Sequence, residues 1–425
     1  MIITILSDSI TIPTGYRNQA AQLTDFLASK GHEVHYLGNA YQGMTLEKFK
    51  IVGEKERNIK LYGMGRQPYF GDLISEHLKS TKSDIFLILL DTFMLMQPGG
   101  NLPYGWFLNI DTSPAQTVFW FPSDGGAGMP KDCERILRKV ECAVAMAKFG
   151  QKQVKDYYNL DVKHIPHGLN TSFFKKLSDD ERNLLRQKWN LVDKFVIGVV
   201  ARNQPRKFLD RTLKAMYYIK DKIPNAILFL HLDPNDPAQI FPIQSLIQRY
   251  NLENRVIFSG MSALKGFPQS EMNNVYNLFD VFFLSTSGEG FGIPIIEAMA
   301  CEVPVVATSY TTTPELIEVH NAGFGIKLSG TEKTDMFDGQ NMIDYDMNTM
   351  NGTLTGSWEV ERAFCDVIDA AEKIEILYKN PALRIEMGKN GRKVIEEKYD
   401  FNKVGKQFED LFKEMINGIG KITIT

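Results

Sequence analysis

Two glutamates, Glu289 and Glu297, lie eight residues apart and enclose a glycine-rich run. The apolar segment 281–284 just before them predicts a buried parallel strand, and Pro294 is typical of the first turn of a helix. The glycines let the backbone approach a ligand, and a helix start offers unpaired N–H groups with a partial positive charge. A strand, a glycine loop and a helix start in this order predict an anion site, with phosphate as the expected ligand.

The two carboxylates suit hydroxyl groups better than phosphate, because like charges repel. A ligand with a diphosphate between two polyols is a sugar nucleotide. Acids near a helix start are favoured by the helix dipole in any case, which explains Glu297 but not Glu289 with its glycines. The pair could instead be the general acid and base of a hydrolase, and that alternative stays open, although a hydrolase has little need of a diphosphate loop.

A second loop carries three cations, Arg202, Arg206 and Lys207, directly after the apolar strand predicted at 195–200. The forked donors of arginine and the compact charge of lysine both bind phosphate. Taken alone, this loop is as well explained by a solvated basic surface. Because a glycine loop stands in the same half of the chain, the sequence favours phosphate binding by Arg202 and Lys207.

The elements that must position these loops form two α/β runs. A chain of 425 residues exceeds the length at which one core keeps growing, so two domains are expected. Apolar strands alternate with helical patterns over residues 1–175 and again over 176–400, and residues 401–425 predict a helix that returns to the first domain. Ligands are then expected at the carboxyl ends of the strands, in the cleft between two facing Rossmann-like domains.

Composition and sequence pattern argue against several classes of protein. A net charge of −3 argues against a nucleic-acid partner. The apolar runs are too short to span a bilayer, so any membrane contact would be peripheral. The segment 1–6 predicts a strand and not a signal peptide, which favours a cytoplasmic location. The four cysteines lack a CxxC pair and are typical of reduced, buried thiols.

Two loops of the first half lie at the expected ligand edge. Gly15 precedes the first predicted helix and could admit a phosphate or sugar oxygen, or serve as a turn residue only. Asp124 is the one acid in the glycine-rich loop 122–130, where it could face an acceptor or form an Asp-Gly turn. His167, near the predicted hinge, either contacts a ligand or caps the bend.

Two further patterns are interpreted as non-functional. The glycines at 63–71 have the wrong spacing for a nicotinamide dinucleotide site. The polar segment 328–357 predicts a surface loop, and its Asp344-Tyr345-Asp346 triplet is interpreted as solvated, so no metal is expected. The segment 358–416 is predicted to be helical.

Together these residues resemble a known family, the retaining glycosyltransferases of family 4, also called group 1. The resemblance rests on Glu289-Gly290-Phe291-Gly292 through Glu297, on Arg202 and Lys207, and on the turn at 165–170. It spans about residues 147–325 and covers the first domain only by general pattern. The spacing of the two glutamates is specific only with the glycines between them.

The resemblance implies a GT-B fold, which has two facing Rossmann-like domains and a final helix crossing back. In that family the cations matching Arg202 and Lys207 bind the donor diphosphate and stabilise the leaving group. The glutamate matching Glu297 holds the ribose. The one matching Glu289, with the backbone of 290–292, holds the transferred sugar, and Gly15 belongs to the phosphate-side loop of the first domain.

The first domain departs from the family in one respect. Many members place a histidine near the anomeric carbon, whereas the corresponding stretch 121–125 has none, and Asp124 is the candidate replacement. The implied reaction is metal-independent transfer of a hexose, with retention, from a nucleoside diphosphate sugar to a hydroxyl of a glycan, lipid or protein. The alternatives are a sugar-nucleotide epimerase or phosphorylase of the same fold, or a non-catalytic binder of sugar nucleotides.

Overall fold

Two parallel β-sheets organise the chain. The structure is a computed structural model that describes residues 1–418 apart from 40, 42, 49, 53–54, 64–70, 72, 97–104, 130, 237–238, 263–266 and 336–358. Consecutive side chains of a central strand pack into different apolar clusters, with Ile85 and Leu87 in one and Phe86 and Ile88 in the other. Both faces of that sheet are therefore covered, which confirms the predicted α/β class.

The first sheet has seven strands in the order β3-β2-β1-β4-β5-β6-β7. The strand order reverses between β1 and β4, which opens a crevice at their carboxyl ends. The strands are β1 (Ile2–Asp8), β2 (Glu33–Asn39), β3 (Ile59–Tyr62), β4 (Ile85–Ile88), β5 (Gln116–Phe121), β6 (Cys142–Ala145) and β7 (Lys163–His164). The helices are α1 (Gly15–Ser29), α2 (Ile74–Thr81), α3 (Thr92–Met96), α4 (Lys131–Lys139) and α5 (Lys148–Tyr158).

The second sheet has six strands in the order β10-β9-β8-β11-β12-β13 and reverses between β8 and β11. Its strands are β8 (Phe195–Val200), β9 (Ala226–His231), β10 (Val256–Phe258), β11 (Val281–Leu284), β12 (Val305–Thr308) and β13 (Gly323–Ile326). Its helices are α6 (Asp179–Lys188), α7 (Leu209–Ile219), α8 (Ile243–Arg249), α9 (Gln269–Asn277), α10 (Ile293–Ala300), α11 (Thr313–Leu316), α12 (Val367–Lys379) and α13 (Pro381–Val394).

The last helix, α14 (Phe401–Ile416), returns to the first sheet as predicted. Its Met415 carbonyl accepts a hydrogen bond of 3.2 Å from the Gln116 amide, and Glu409 lies 3.5 Å from His32. The first sheet ends at His164 and the second begins at Phe195. The domain limits 1–175, 176–400 and 401–425 stay predictions.

A hairpin corrects the interpretation of the segment after β13. Strands β14 (Leu328–Asp335) and β15 (Glu359–Cys365) pair antiparallel. The predicted surface loop is therefore wrong for 328–335, and the predicted helix is wrong for 359–365. These strands carry mixed polar residues without the apolar alternation that signals a strand, which is why sequence pattern missed them. The Asp344–Asp346 triplet lies outside the described residues.

Candidate active site

The glycine loop and the cationic loop are hydrogen-bonded to each other. The loop after β11 is fixed at Ser287, whose N–H donates to the Arg206 carbonyl at 2.7 Å. Two residues on, the Glu289 N–H donates to the Thr311 hydroxyl at 2.9 Å. Gly292 then takes φ 100° and caps α10, with Pro294 in the first turn as predicted. A left-handed φ of this kind favours glycine.

This loop contact brings Glu289 between two cations. Its carboxylate oxygens lie 2.5 Å from Lys207 Nζ and 2.9 Å from Arg206 Nη1, and both Glu289 and Lys207 are buried. Burial alone would raise the pKa of Glu289, but the charges of Arg206 and Lys207 outweigh it and lower that pKa to about 2. Burial and the Arg206 charge lower the pKa of Lys207 to about 8. An entering phosphate would compete with Glu289 for the two cations.

Arg202 lies apart from this cluster. Its Nε is 2.8 Å from Asp236 Oδ2, and its side chain is 53% exposed. The single helical turn Pro205–Lys207 directs Arg206 toward Glu289 instead. Lys207 therefore lies in the cluster with Glu289 and Arg202 does not, and the phosphate-binding roles of both stay predictions. The sequence carried no signal that would distinguish the two arginines.

Glu297 occupies the buried face of α10. The hydroxyl of Tyr276, on α9, donates to its carboxylate at 2.6 Å. Burial raises the pKa of Glu297 to about 7 and outweighs that hydrogen bond. This carboxyl group therefore changes charge near neutral pH. Its predicted contact with a ribose stays a prediction, and sequence reasoning missed its partner Tyr276.

The loops of the first sheet meet the glycine loop closely. Gly15 begins α1, and a Cβ built on it would lie 2.9 Å from Ile293 Cδ1 at the start of α10. A Cβ on Gly290 would lie 2.8 Å from Pro122 Cβ, and one on Gly288 only 2.0 Å from the Asp124 carbonyl oxygen. The structure therefore brings Gly15 and the Asp124 loop to the glycine loop, as a site between two facing domains requires.

Asp124 lies beside Arg206 and a residue from the hairpin. Its Oδ1 is 3.3 Å from Arg362 Nη1, and its Oδ2 is 3.9 Å from Arg206 Nε. Burial works against the charge of Arg206, yet Glu289 and Asp124 raise its pKa. Arg206 thus joins a carboxylate of the first domain to one of the second. The catalytic role of Asp124 stays a prediction.

Sequence reasoning missed a second acid on the same sheet edge. Asp91 follows β4 and accepts a hydrogen bond of 2.6 Å from the Tyr16 hydroxyl. Burial raises the pKa of Asp91 to about 6, with a further contribution from the Asp124 charge. The signal was present, since Asp91 comes directly after the apolar run 85–90.

His167 lies in the packing between the sheets. Its ring centroid is 4.4 Å from that of Trp120 and 5.1 Å from that of Phe291, in the glycine loop. Burial lowers its pKa to about 3, so it is neutral at pH 7. These contacts favour the interpretation of His167 as a packing residue at the bend.

Three expectations concern metals, cysteines and membranes. Within the described part of the chain, no group of three or more His, Cys, Asp or Glu side chains is placed to hold a metal ion. The four cysteines are free and buried, in accord with the prediction of reduced thiols. Among the same residues, no helix has the length and apolar character needed to cross a bilayer.

The segment that contains the second sheet matches a known family model. Residues 181–332 match the family model of group 1 glycosyl transferases. This segment, about a third of the chain, is therefore similar to the group 1 glycosyl transferases. The matched segment includes the cationic loop, the glycine loop and both glutamates, on which the resemblance rested together with the turn at 165–170.

Curated relatives align with a similar part of this chain. The mannosylfructose-phosphate synthase of Agrobacterium fabrum is 28% identical over 181 residues, which are 41% of this chain and 38% of that protein. The GDP-mannose-dependent alpha-(1-6)-phosphatidylinositol monomannoside mannosyltransferase of Mycolicibacterium smegmatis is 28% identical over 163 residues, which are 37% of this chain and 40% of that protein. The alignments thus span about two fifths of these relatives.

Solved structures resemble this chain over nearly its whole length. The sucrose-phosphate synthase of Thermosynechococcus elongatus has a TM-score of 0.73 at 18% identity, over 98% of this chain and 100% of that one. HepE of Anabaena, in complex with UDP-glucose, has a TM-score of 0.68 at 15% identity, over 97% of this chain and 100% of that one. These likenesses confirm the predicted GT-B fold.

Proposed function

We propose that this chain is a retaining family 4 hexosyltransferase. It moves a hexose from a nucleoside diphosphate sugar to an acceptor hydroxyl in glycan or glycoconjugate synthesis. The observation that carries the proposal is the buried cluster of Arg206, Lys207 and Glu289 beside the glycine loop. The mannosyltransferase among the relatives and the UDP-glucose in HepE support this donor class.

The cluster suits a leaving group whose charge grows during reaction. The donor diphosphate takes over Arg206 and Lys207, which stabilise the negative charge as the bond to the sugar breaks. Glu289 then turns to the sugar hydroxyls together with the N–H groups of 290–292, and Glu297 holds the ribose. Arg202, whose side chain is half-exposed, can add a contact to the diphosphate if it gives up its ion pair with Asp236.

Retention follows because the acceptor attacks the anomeric carbon on the same face of the sugar from which the leaving group departs. The acceptor oxygen bonds to the anomeric carbon as the diphosphate oxygen leaves, and that oxygen takes the acceptor proton. No separate strong base is then needed. Asp124 orients the acceptor or stabilises the cationic sugar, and Gly15 leaves room for the diphosphate at the start of α1.

Partners and surroundings follow from the same chemistry. Two cations neutralise the diphosphate, so no metal is required. The acceptor is a hydroxyl of a glycan, lipid or protein, with peripheral membrane contact where the acceptor is a lipid, and no nucleic acid takes part. Four reduced cysteines support a cytoplasmic location.

A screen of nucleotide sugars by thermal shift tests the donor class. We expect one nucleoside diphosphate hexose and its nucleoside diphosphate to stabilise the protein by about 2.7 kcal/mol at a hundred times Kd, equally with magnesium and with EDTA. The matching monophosphate is the control and should bind more weakly, since it lacks the second phosphate. Absence of stabilisation by any donor would contradict this class, and a strict magnesium requirement would contradict metal independence.

A further inference from the structure

Strand β15 of the hairpin is hydrogen-bonded to both loops of the site. Gly126, in the loop after β5, donates its N–H to the Glu361 carbonyl at 3.0 Å and accepts from the Glu361 N–H at 3.2 Å. Two residues further along β15, the Ala363 N–H donates to the Ser287 carbonyl at 3.1 Å. One strand of the second domain therefore spans from the glycine loop to the Asp124 loop of the first domain.

Arg362 lies between these two attachments and holds Asp124 by its main chain and its side chain. Its Nη1 donates to the Asp124 carbonyl oxygen at 2.6 Å and lies 3.3 Å from Oδ1, while Nη2 is 3.5 Å from Oδ2. The Arg362 side chain is only 9% exposed. A planar guanidinium that grips both groups fixes the backbone and the carboxylate of one residue together.

The packing around this contact is too tight for the loop to shift freely. A Cβ on Gly125 would lie 2.9 Å from the Glu361 carbonyl oxygen. The Tyr310 hydroxyl accepts from the Gly126 N–H at 2.8 Å and donates to the Glu361 carboxylate at 3.0 Å. Besides Arg362, the Tyr310 side chain therefore bonds to both sides of this contact, the loop at Gly126 and strand β15 at Glu361.

We propose that Arg362 is a positioning residue for the transfer reaction and that β15 is a strap joining the two domains beside the site. Arg362 offsets the Asp124 charge and keeps that carboxylate from closing the 3.9 Å gap to Arg206, which leaves Arg206 for the diphosphate. The strap rests on geometry alone. The effect on transfer rests on the proposed function, in which Asp124 serves the acceptor.

Hydrogen–deuterium exchange of the full chain tests the strap without any substrate. In Arg362→Gln we expect the Gly126 amide to exchange at least about tenfold faster, because a lost hydrogen bond to a charged group has roughly that effect. The matched control is Arg211→Gln, since Arg211 donates to the Cys365 carbonyl at the end of β15 at 2.7 Å. It should leave Gly126 exchange within about twofold of the parent. Unchanged exchange in Arg362→Gln would overturn the strap.

Steady-state kinetics with the donor identified by the screen tests the positioning role. We expect Arg362→Gln to lower kcat about tenfold and Arg362→Lys to recover part of that loss. In an Asp124→Asn background, Arg362→Gln should change kcat less than it does in the parent, because the carboxylate charge is already gone and only the contact with the Asp124 carbonyl oxygen remains to be lost. Equal effects in both backgrounds would overturn positioning through the Asp124 carboxylate. A parent enzyme that releases no nucleoside diphosphate would contradict the proposed function and leave the exchange result to decide the strap.

Discussion

Replacing Lys207 with alanine is expected to lower hexose transfer by about a hundredfold to a thousandfold. Lys207 is a buried cation bonded to Glu289, and its loss leaves the donor diphosphate and Glu289 to share Arg206. Removing one preorganised contact to a developing negative charge costs about that factor in other enzymes. The measurement is kcat/KM from the release of nucleoside diphosphate, with circular dichroism to show that the variant is folded.

The neighbouring cations supply graded controls. Arg206→Ala should lower kcat/KM as much as Lys207→Ala does, because both cations contact Glu289. Arg202→Ala should lose less, since Arg202 is half-exposed and bonded to Asp236. Lys214→Ala removes an exposed cation from α7 and should leave the rate unchanged. If Arg202→Ala and Lys207→Ala both turned over at the parent rate, the assignment of the diphosphate site would be wrong.

Alanine at Gly288 is expected to lower transfer by about a hundredfold while donor binding persists. The new Cβ would stand 2.0 Å from the Asp124 carbonyl oxygen, so a backbone segment of one domain must move by about an ångström or more. A displacement of that size away from the reacting atoms can cost about a hundredfold in rate. In the proposed function the donor contacts lie mainly on the second domain, so KM should change far less than kcat.

Gly330 provides the matched control for this substitution. It lies in β14, and nothing stands within 4 Å of a Cβ built there. Gly330→Ala should therefore transfer hexose at the parent rate. If Gly288→Ala were as active as Gly330→Ala, the close approach of the two loops would not be needed for the reaction.

The parts of the fold that sequence predicts well are those with strong local signals. Strands β8 and β11 begin and end at the predicted residues, because central parallel strands are short, continuous apolar runs. The start of α10 was likewise predictable from glycine and proline. The hairpin was not, since β14 and β15 mix polar and apolar residues without regular alternation and their strand character comes from pairing with each other.

The residues of the site also fall into those that the sequence predicts and those that it does not. Glu289 and Lys207 could be predicted because their loops follow strands of one sheet and match residues of the family pattern. Their partners could not, since Arg362 reaches Asp124 from 238 residues away and Tyr276 reaches Glu297 from another helix. The orientation of Arg206 depends on a single turn, which is a property of the folded loop and not of the residue types.

Nuclear magnetic resonance of the reaction product gives the most direct test of the proposed function. The enzyme is incubated with a nucleoside diphosphate hexose labelled with ¹³C at the anomeric carbon and with a panel of acceptors. We predict a new glycoside with the anomeric configuration of the donor, together with free nucleoside diphosphate. A product of opposite configuration would contradict retention. An altered sugar nucleotide, a sugar phosphate or an unchanged donor would contradict the transferase and indicate an epimerase, a phosphorylase or a non-catalytic binder.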